Sequence, residues 1–284
     1  KQHGSFSYSQ TQLEQALADL ERHKLITQNK DSRVQLTELG MIAGESAVSI
    51  KSFVRFIECI QRTNAETLSD PDLIAIAQTS EELDQVNISV HGNSHKEDQT
   101  WPQELTRAGV QSTIIRAMEY DAGDRRGLAK RRKRTVAALG YISELSTSQI
   151  ETLLSQHVRE KNYAGAIRNT SERTCDVLPT LGQIIEYFNP SVPMLSRVEK
   201  LLTRLSIGVH TDMVFLANEL GSKILRGEYL ELMNSGYNSF DAIENAKDEE
   251  LLPFIGNDPI KLLSIRNAVK DYRKFEDDDI NLPE

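Results

Sequence analysis

Apolar residues recur three or four positions apart through most of this chain, which predicts a mainly α-helical fold. The first such stripe contains Leu13, Leu17 and Leu20. Residues 25–28 and 33–36 alternate apolar and polar positions instead. Because the residues between them have a turn composition, this pair predicts a β-hairpin.

The order of helix, hairpin and helix is typical of a winged helix, and we predict one, with a connecting helix, over residues 1–62. Thr37 is expected to cap the helix that follows the hairpin. Glu14, Asp19 and Glu21 lie on the exposed face of the first helix, which disfavours contact with a nucleic-acid groove. We therefore interpret this unit as structural.

Residues 63–197 have the pattern of a helical bundle. Asp70 and Pro71 suit the cap and the first turn of one of its helices. The longest helix is expected at residues 163–188, where Pro179 should kink or break it.

Residues 198–275 repeat one pattern twice: a helix, a short glycine-containing hairpin and a second helix. Gly221 and Gly256 can take the positive φ that a tight hairpin between helices demands. Each hairpin would then present the free N–H groups of a new helix to a phosphate; two ordinary hairpins in a bundle are the alternative. The helix before Gly256 is expected at residues 240–254. The acidic tail, residues 276–284, is predicted to be disordered.

The first hairpin is the better candidate for phosphate binding. Asp258 follows the second hairpin at a helix start, where a carboxylate opposes the binding of an anion. The predicted phosphate contacts are therefore Gly221, Ser222 and Lys223.

Composition limits the classes of function. The chain has 284 residues, 39% of them hydrophobic, and a net charge of −9, which argues against nucleic-acid binding by its whole surface.

No apolar run approaches the ~20 residues of a membrane span, and no signal-peptide pattern opens the chain. Cys59 and Cys175 lack metal-like spacing and suit a reducing cytoplasm, so we predict a cytoplasmic protein without membrane contact. Because no Met precedes Lys1, we expect the later part of a longer protein.

One segment is strongly basic, with seven cations among the ten residues 125–134. These cations are Arg125, Arg126, Lys130, Arg131, Arg132, Lys133 and Arg134. Such a run on a helix indicates either a solvated surface or a contact with phosphates. The interleaved Leu128 and Val136 favour an element seated on a core, with its charged side toward a ligand channel.

The sequence has no P-loop, no Gly-x-Ser-x-Gly elbow and no Rossmann glycine fingerprint. His91 and His95 are four residues apart, but Gly92, Asn93 and Ser94 between them favour a loop, and no third ligand is near. No catalytic or metal site is therefore predicted, and no cofactor is expected within this chain.

In this order, the segments resemble the C-terminal half of the Ski/Brr/Hel branch of superfamily II helicases. The likeness is greatest to archaeal Hel-type DNA helicases and the helicase half of polymerase theta. It is carried by residues 34–40, 68–80 and 201–210, and by the first hairpin with residues 234–243. Residues 84–145 match poorly and are interpreted as an insertion.

The resemblance implies a winged helix, a helical "ratchet" bundle and a helix-hairpin-helix domain that follow two motor domains. ATP and Mg would bind in those motor domains, upstream of this chain. A strand of single-stranded or forked DNA would leave the motor and cross the helix at residues 163–188. There the family uses an Arg and an aromatic residue to stack on bases. Arg168 or Arg173 would take the Arg role, and the aromatic residue is absent.

The predicted function is therefore the nucleic-acid-binding C-terminal half of an ATP-dependent DNA helicase. Genome maintenance or anti-phage defence would fit its divergent insertion, with a nuclease as one class of protein partner. The alternative is a non-enzymatic helical adaptor whose basic run docks an acidic protein partner.

Overall fold

The computed structural model describes residues 10–29, 33–90, 95–156 and 162–280. Nearly all regular structure in these ranges is helical, which confirms the mainly α-helical prediction. The first elements are α1 (Gln10–Arg22), β1 (Ile26–Gln28), β2 (Val34–Leu36), α2 (Glu38–Glu45), α3 (Ile50–Gln61), α4 (Asp70–Ala77), α5 (Glu81–Asp84), α6 (His95–Arg107) and α7 (Ser112–Ala117). The later elements are α8 (Arg125–Tyr141), α9 (Thr147–Leu154), α10 (Ala164–Phe188), α11 (Met194–Ile207), α12 (Val214–Leu220), α13 (Arg226–Asn234), α14 (Phe240–Asn245), α15 (Asp248–Leu251) and α16 (Pro259–Ile280).

The N-terminal hairpin forms as predicted. β1 and β2 are antiparallel, with Ile26 opposite Leu36. Thr37 caps α2, because its hydroxyl oxygen accepts a hydrogen bond from the Gly40 N–H at 2.9 Å. Leu25, at the start of the hairpin, is buried in the same hydrophobic core as the helical bundle, so the hairpin unit is packed on that bundle.

Helix α10 is the centre of the bundle and packs against α2, α3, α4, α8 and α11. Its inward face is buried from Ile167 to Ile185. Of the kink or break predicted at Pro179, the break is wrong, since α10 continues through this residue. Pro179 lies on the exposed side, where water can hydrate the carbonyl that loses its helical partner.

Helix α8 is the second central element and packs against α4, α6, α9 and α10. Every residue from Arg131 to Tyr141 is buried. Residues 84–145, interpreted from the sequence as an insertion, therefore supply part of the bundle core. His91, considered above as a metal ligand, lies outside the described residues.

The cap of α4 is Ser69, not Asp70 as predicted. The Ser69 hydroxyl oxygen accepts from the Asp72 N–H, and the Asp72 carboxylate accepts from the Ser69 N–H at 2.8 Å. Asp70 instead accepts hydrogen bonds from Arg197 and Arg204 of α11. This long-range pairing removes Asp70 from the local role that the sequence indicates.

Two C-terminal predictions are also wrong. The single helix expected at residues 240–254 is interrupted at Ala246, whose backbone is extended, and α15 begins after Lys247. The tail expected to be disordered is helical through Ile280, because α16 extends that far. Residues 281–284 lie outside the described part of the chain.

A second hydrophobic core runs from Val209 to Val269 and holds α12 to α16. Arg226 of α13 joins it to the bundle, since this guanidinium donates to the carbonyl oxygens of Tyr141 and Leu145 at 2.9 and 2.6 Å. The C-terminal unit is thus attached where α8 ends. None of the described helices has both the length and the apolar character to cross a bilayer.

Candidate nucleic-acid interface

The basic run divides into an exposed part and a buried part along α8. Asp124 caps the helix through its carboxylate, which accepts from the Gly127 N–H at 2.7 Å. Arg125 and Arg126 are exposed, and Lys130 is half-buried. These three cations are the ones that remain open to solvent at the start of the helix.

The next four cations are buried, with exposed fractions between 0% and 6%. The prediction that every cation of the run contacts nucleic acid is therefore wrong for Arg131, Arg132 and Lys133. Arg134 is buried too, but it lines a cavity described below. The physical reason is that Arg131, Lys133 and Arg134 have carboxylate, carbonyl or aromatic partners within the bundle, whereas Arg132 pairs with the exposed Glu119.

Asp84 of α5 is the principal partner. Arg131 donates to both of its carboxylate oxygens, at 3.0 and 2.6 Å, and Arg134 donates to one of them at 2.9 Å. Arg131 also donates to the carbonyl oxygens of Met118 and Tyr120, in the loop before α8. One carboxylate thus fixes two arginines and the segment that leads into α8.

Lys133 has a different environment. Its ammonium group donates to the Tyr163 hydroxyl at 2.9 Å and to the Ser89 carbonyl oxygen at 2.5 Å. It also lies 4.6 Å from the centre of the Tyr163 ring and 5.3 Å from that of Trp101. Arg132 pairs with Glu119 at 2.9 Å. These contacts make the middle of the run structural.

A cavity of about 430 Å³, which we name the α8 pocket, lies beside the start of α8. Its lining residues are Asp84, Ala122, Asp124, Arg126, Gly127, Lys130 and Arg134. Arg126, Lys130 and Arg134 are four residues apart, so they lie on one face of the helix. Burial lowers the pKa of Arg134 to about 10, which keeps its guanidinium charged at neutral pH.

A second cavity, of about 480 Å³, lies along α10, and we name it the α10 groove. It is lined by Ala47, Glu82, Gln85, Val86, Asn169, Arg173, Asp176 and Val177. Arg173 is exposed and pairs with Asp176 at 3.2 Å. Arg168 is also exposed on α10 but does not line the groove.

The two cavities differ in charge. The α10 groove has one cation, Arg173, against two carboxylates, Glu82 and Asp176, and it has the amides of Gln85 and Asn169. Such a surface offers hydrogen bonds to base edges but attracts phosphates poorly. The α8 pocket has three cations against two carboxylates and suits an anion.

One short segment separates the cavities. Residues 82, 85 and 86 line the α10 groove, whereas Asp84 lines the α8 pocket. This segment forms a wall between the cavities, and hydrogen bonds hold it on both sides. The Glu82 carboxylate accepts from Ser52 at 2.6 Å, and the Val86 carbonyl oxygen accepts from Arg134 at 3.4 Å.

The first glycine hairpin has the predicted backbone. Gly221 has a φ of +52°, and Ser222 and Lys223 beside it are exposed. The Tyr229 hydroxyl donates to the Gly221 carbonyl oxygen at 2.9 Å, which holds the turn against α13.

The second hairpin also has the predicted backbone, with a φ of +68° at Gly256. Here Asp258 caps the start of α16, because its carboxylate accepts a hydrogen bond from the Ile260 N–H at 2.8 Å. Lys261 beside it pairs with Glu228 of α13 at 2.6 Å, so the two hairpins lie side by side. A carboxylate already occupies the position that a phosphate would take at α16.

The structure does not bring every predicted contact together. Arg126 and Lys130 lie near the first turns of α8, whereas the unit that contains residues 221–223 is attached at Tyr141. Fifteen residues of α-helix separate Arg126 from Tyr141, a span of about 22 Å. Asn169 and Gln85 were not predicted as contacts, although Asn169 lies four residues before Arg173 on the same exposed face.

No protein-family model matches the sequence, and a search of curated proteins gives no significant match.

Proposed function

We propose that this chain is the nucleic-acid-binding C-terminal half of an ATP-dependent superfamily II DNA helicase. Its task is to guide single-stranded DNA that leaves the motor domains. ATP and Mg belong to those motor domains, and this chain supplies the surface on which the strand moves. The N-terminal unit acts as the winged helix, α10 as the ratchet helix, and the last five helices as the helix-hairpin-helix domain.

The observation that carries this proposal is the open polar groove along α10. It lies on the helix that the resemblance assigns to the strand, and its lining combines Arg173 with the amides of Asn169 and Gln85. Amide and guanidinium groups are the side chains that hydrogen-bond or stack on unpaired bases. Arg168 is also exposed on α10, about 140° around the helix from Arg173, so it is a cation outside the groove lining.

The test is the binding of a fluorescent single-stranded oligonucleotide, followed by anisotropy at several salt concentrations. We expect Arg168→Glu with Arg173→Glu to weaken binding about tenfold or more, because each change replaces a contact by a repulsion. Each phosphate contact that is lost should also reduce the salt slope by about 0.7.

The control for this variant changes the net charge equally. Arg116→Glu with Lys270→Glu alters two exposed cations that line neither cavity. We expect its affinity to stay within about twofold of the wild-type value. Equal losses in the two double variants would assign the effect to total charge and would contradict a role for α10.

The adaptor alternative makes a different prediction. In that case the wild-type protein would not bind the oligonucleotide. An acidic protein would instead bind to Arg125, Arg126 and Lys130. Burial of Arg131, Arg132 and Lys133 leaves a smaller basic surface for such a partner than the sequence suggests.

A further inference from the structure

Two cations of the α8 pocket have no carboxylate partner among the residues that the structure describes. In the described part of the chain, Arg126 and Lys130 form no ion pair, although both line a polar cavity of about 430 Å³. Their neighbours Arg131, Arg132 and Arg134 are all paired. The run therefore separates into cations used by the fold and cations that point to a ligand.

The carboxylates of the pocket are already engaged. Asp84 pairs with Arg131 and Arg134 and lies 3.8 Å from Arg55, so its one negative charge faces three positive charges. The Asp124 carboxylate accepts the N–H of Gly127 at the cap of α8. With Arg126 and Lys130 added, the pocket keeps an excess of positive charge that the protein itself does not neutralise.

The floor of the pocket is rigid. Arg134 is 1% exposed and donates to Asp84, Gln78 and Val86, so its guanidinium has a fixed position. Burial is the main cause that lowers its pKa to about 10, with Arg131 adding to the lowering and Asp84 opposing it, so the guanidinium stays charged at neutral pH.

We propose that the α8 pocket binds a phosphate group of the polynucleotide backbone, held by Arg126 and Lys130 above the guanidinium of Arg134. The identification of the ligand as a polynucleotide rests on the proposed function. Residues 82, 85 and 86 line the groove and Asp84 lines the pocket, so the segment 82–86 forms the wall between them. A nucleotide next to the bound phosphate reaches across this wall into the α10 groove, where amides meet its base.

The first experiment uses inorganic phosphate and pyrophosphate as probes. Thermal unfolding is measured in each probe and in chloride at equal ionic strength. We expect each probe to raise the Tm of the wild-type protein by about 2 °C or more. Arg126→Gln with Lys130→Gln should lose this rise while keeping the Tm in chloride, because neither side chain forms an ion pair within the described part of the chain. Arg116→Gln with Lys270→Gln is the matched control and should keep the rise. An equal rise in Tm in all three proteins, or no rise in the wild type, would contradict a phosphate site in the α8 pocket.

The second experiment measures oligonucleotide binding with the same variants. If the wild type binds and the Arg126→Gln, Lys130→Gln variant binds about tenfold more weakly, the pocket lies on the path of the strand. If the affinity and the salt slope of the variant equal those of the wild type, the strand does not pass through the α8 pocket. If the probes stabilise the wild type through these residues but no oligonucleotide binds, the phosphate site stands and the proposed function fails.

The bound phosphate could be the terminal phosphate of a strand or an internal phosphodiester. Oligonucleotides with and without a 5′-phosphate distinguish these two sources. A 5′-phosphate that tightens binding only when Arg126 and Lys130 are present assigns the pocket to a terminal phosphate. Equal affinity for 5′-phosphate and 5′-hydroxyl strands, with a loss in the variant, assigns it to an internal phosphodiester. Both results support a phosphate site.

Discussion

Arg131 and Arg126 belong to the same basic run, yet the structure gives them different roles. Arg131 is fully buried and donates to both oxygens of Asp84, whereas Arg126 is exposed at the edge of the α8 pocket. The difference follows from position along α8, because its first residues are exposed whereas every residue from Arg131 to Tyr141 is buried. Residues 126, 130 and 134 share one face of the helix, and burial increases along that face from Arg126 to Arg134.

Asp84 should therefore be critical for stability. Asp84→Asn would leave Arg131 and Arg134 buried with a charge that no carboxylate compensates. Removing one partner of a buried pair costs about 3–5 kcal/mol; we expect about 3 kcal/mol, because the Asp84 side chain is 36% exposed. Urea unfolding followed by circular dichroism measures this change.

Asp19→Asn is the matched control, because it makes the same substitution in an exposed pair. Asp19 accepts from Arg22 within α1, and both side chains are about half exposed or more. Such pairs contribute little, so we expect a change below about 1 kcal/mol. Similar losses for Asp84→Asn and Asp19→Asn would refute the structural role of the buried network.

Burial of the central cations could not be predicted from local sequence. The partner of Arg131 lies 47 residues away, in the short helix α5, and Lys133 meets Tyr163 30 residues further along. Charge counting identifies the run but not its partners. The exposed positions of Arg168 and Arg173, by contrast, follow from helical spacing alone.

At the level of elements, Gly208 joins the bundle to the C-terminal unit. It ends α11 with a φ of +81°, and a Cβ at this position would lie 2.5 Å from the Tyr141 ring and 2.6 Å from the Arg226 side chain. Arg226 uses that side chain to bind the end of α8. The glycine thus permits both the turn and the attachment.

Gly208→Ala should destabilise the protein through both effects. A positive φ costs a non-glycine residue about 1–2 kcal/mol, and displacement of Tyr141 and Arg226 should add about 1–3 kcal/mol. Gly236→Ala is the control, because Gly236 has a φ of +90° but a Cβ at this position would have no heavy atom within 4 Å. We expect denaturant unfolding to show a larger loss for Gly208→Ala. Equal losses would mean that close packing at Gly208 contributes nothing.

Local signals predicted some elements well. Thr37 caps α2, the hairpin between β1 and β2 forms, and Gly221 and Gly256 have positive φ, because each feature depends on neighbouring residues. The cap of α4 and the interruption at Ala246 were not predicted. At α4, two adjacent residues could each cap the helix, and pairing of Asp70 with α11 decided between them.

At the scale of the whole molecule, α8 connects the region of the α8 pocket with the C-terminal unit. The α8 pocket and the α10 groove share a wall near its start, and the C-terminal unit is attached near its end. A strand bound in both cavities would run beside α8 and α10. The Gly221 hairpin would then make a separate contact, in the unit attached at the far end of α8.

Photo-crosslinking of a thiothymidine-containing single strand, mapped by mass spectrometry, tests this account most directly. We predict crosslinks within residues 82–86, 126–130 and 168–176, and their loss in the Arg168→Glu, Arg173→Glu variant. Crosslinks confined to other surfaces, such as α1 or α14, or no crosslinks with bound strand, would contradict the account.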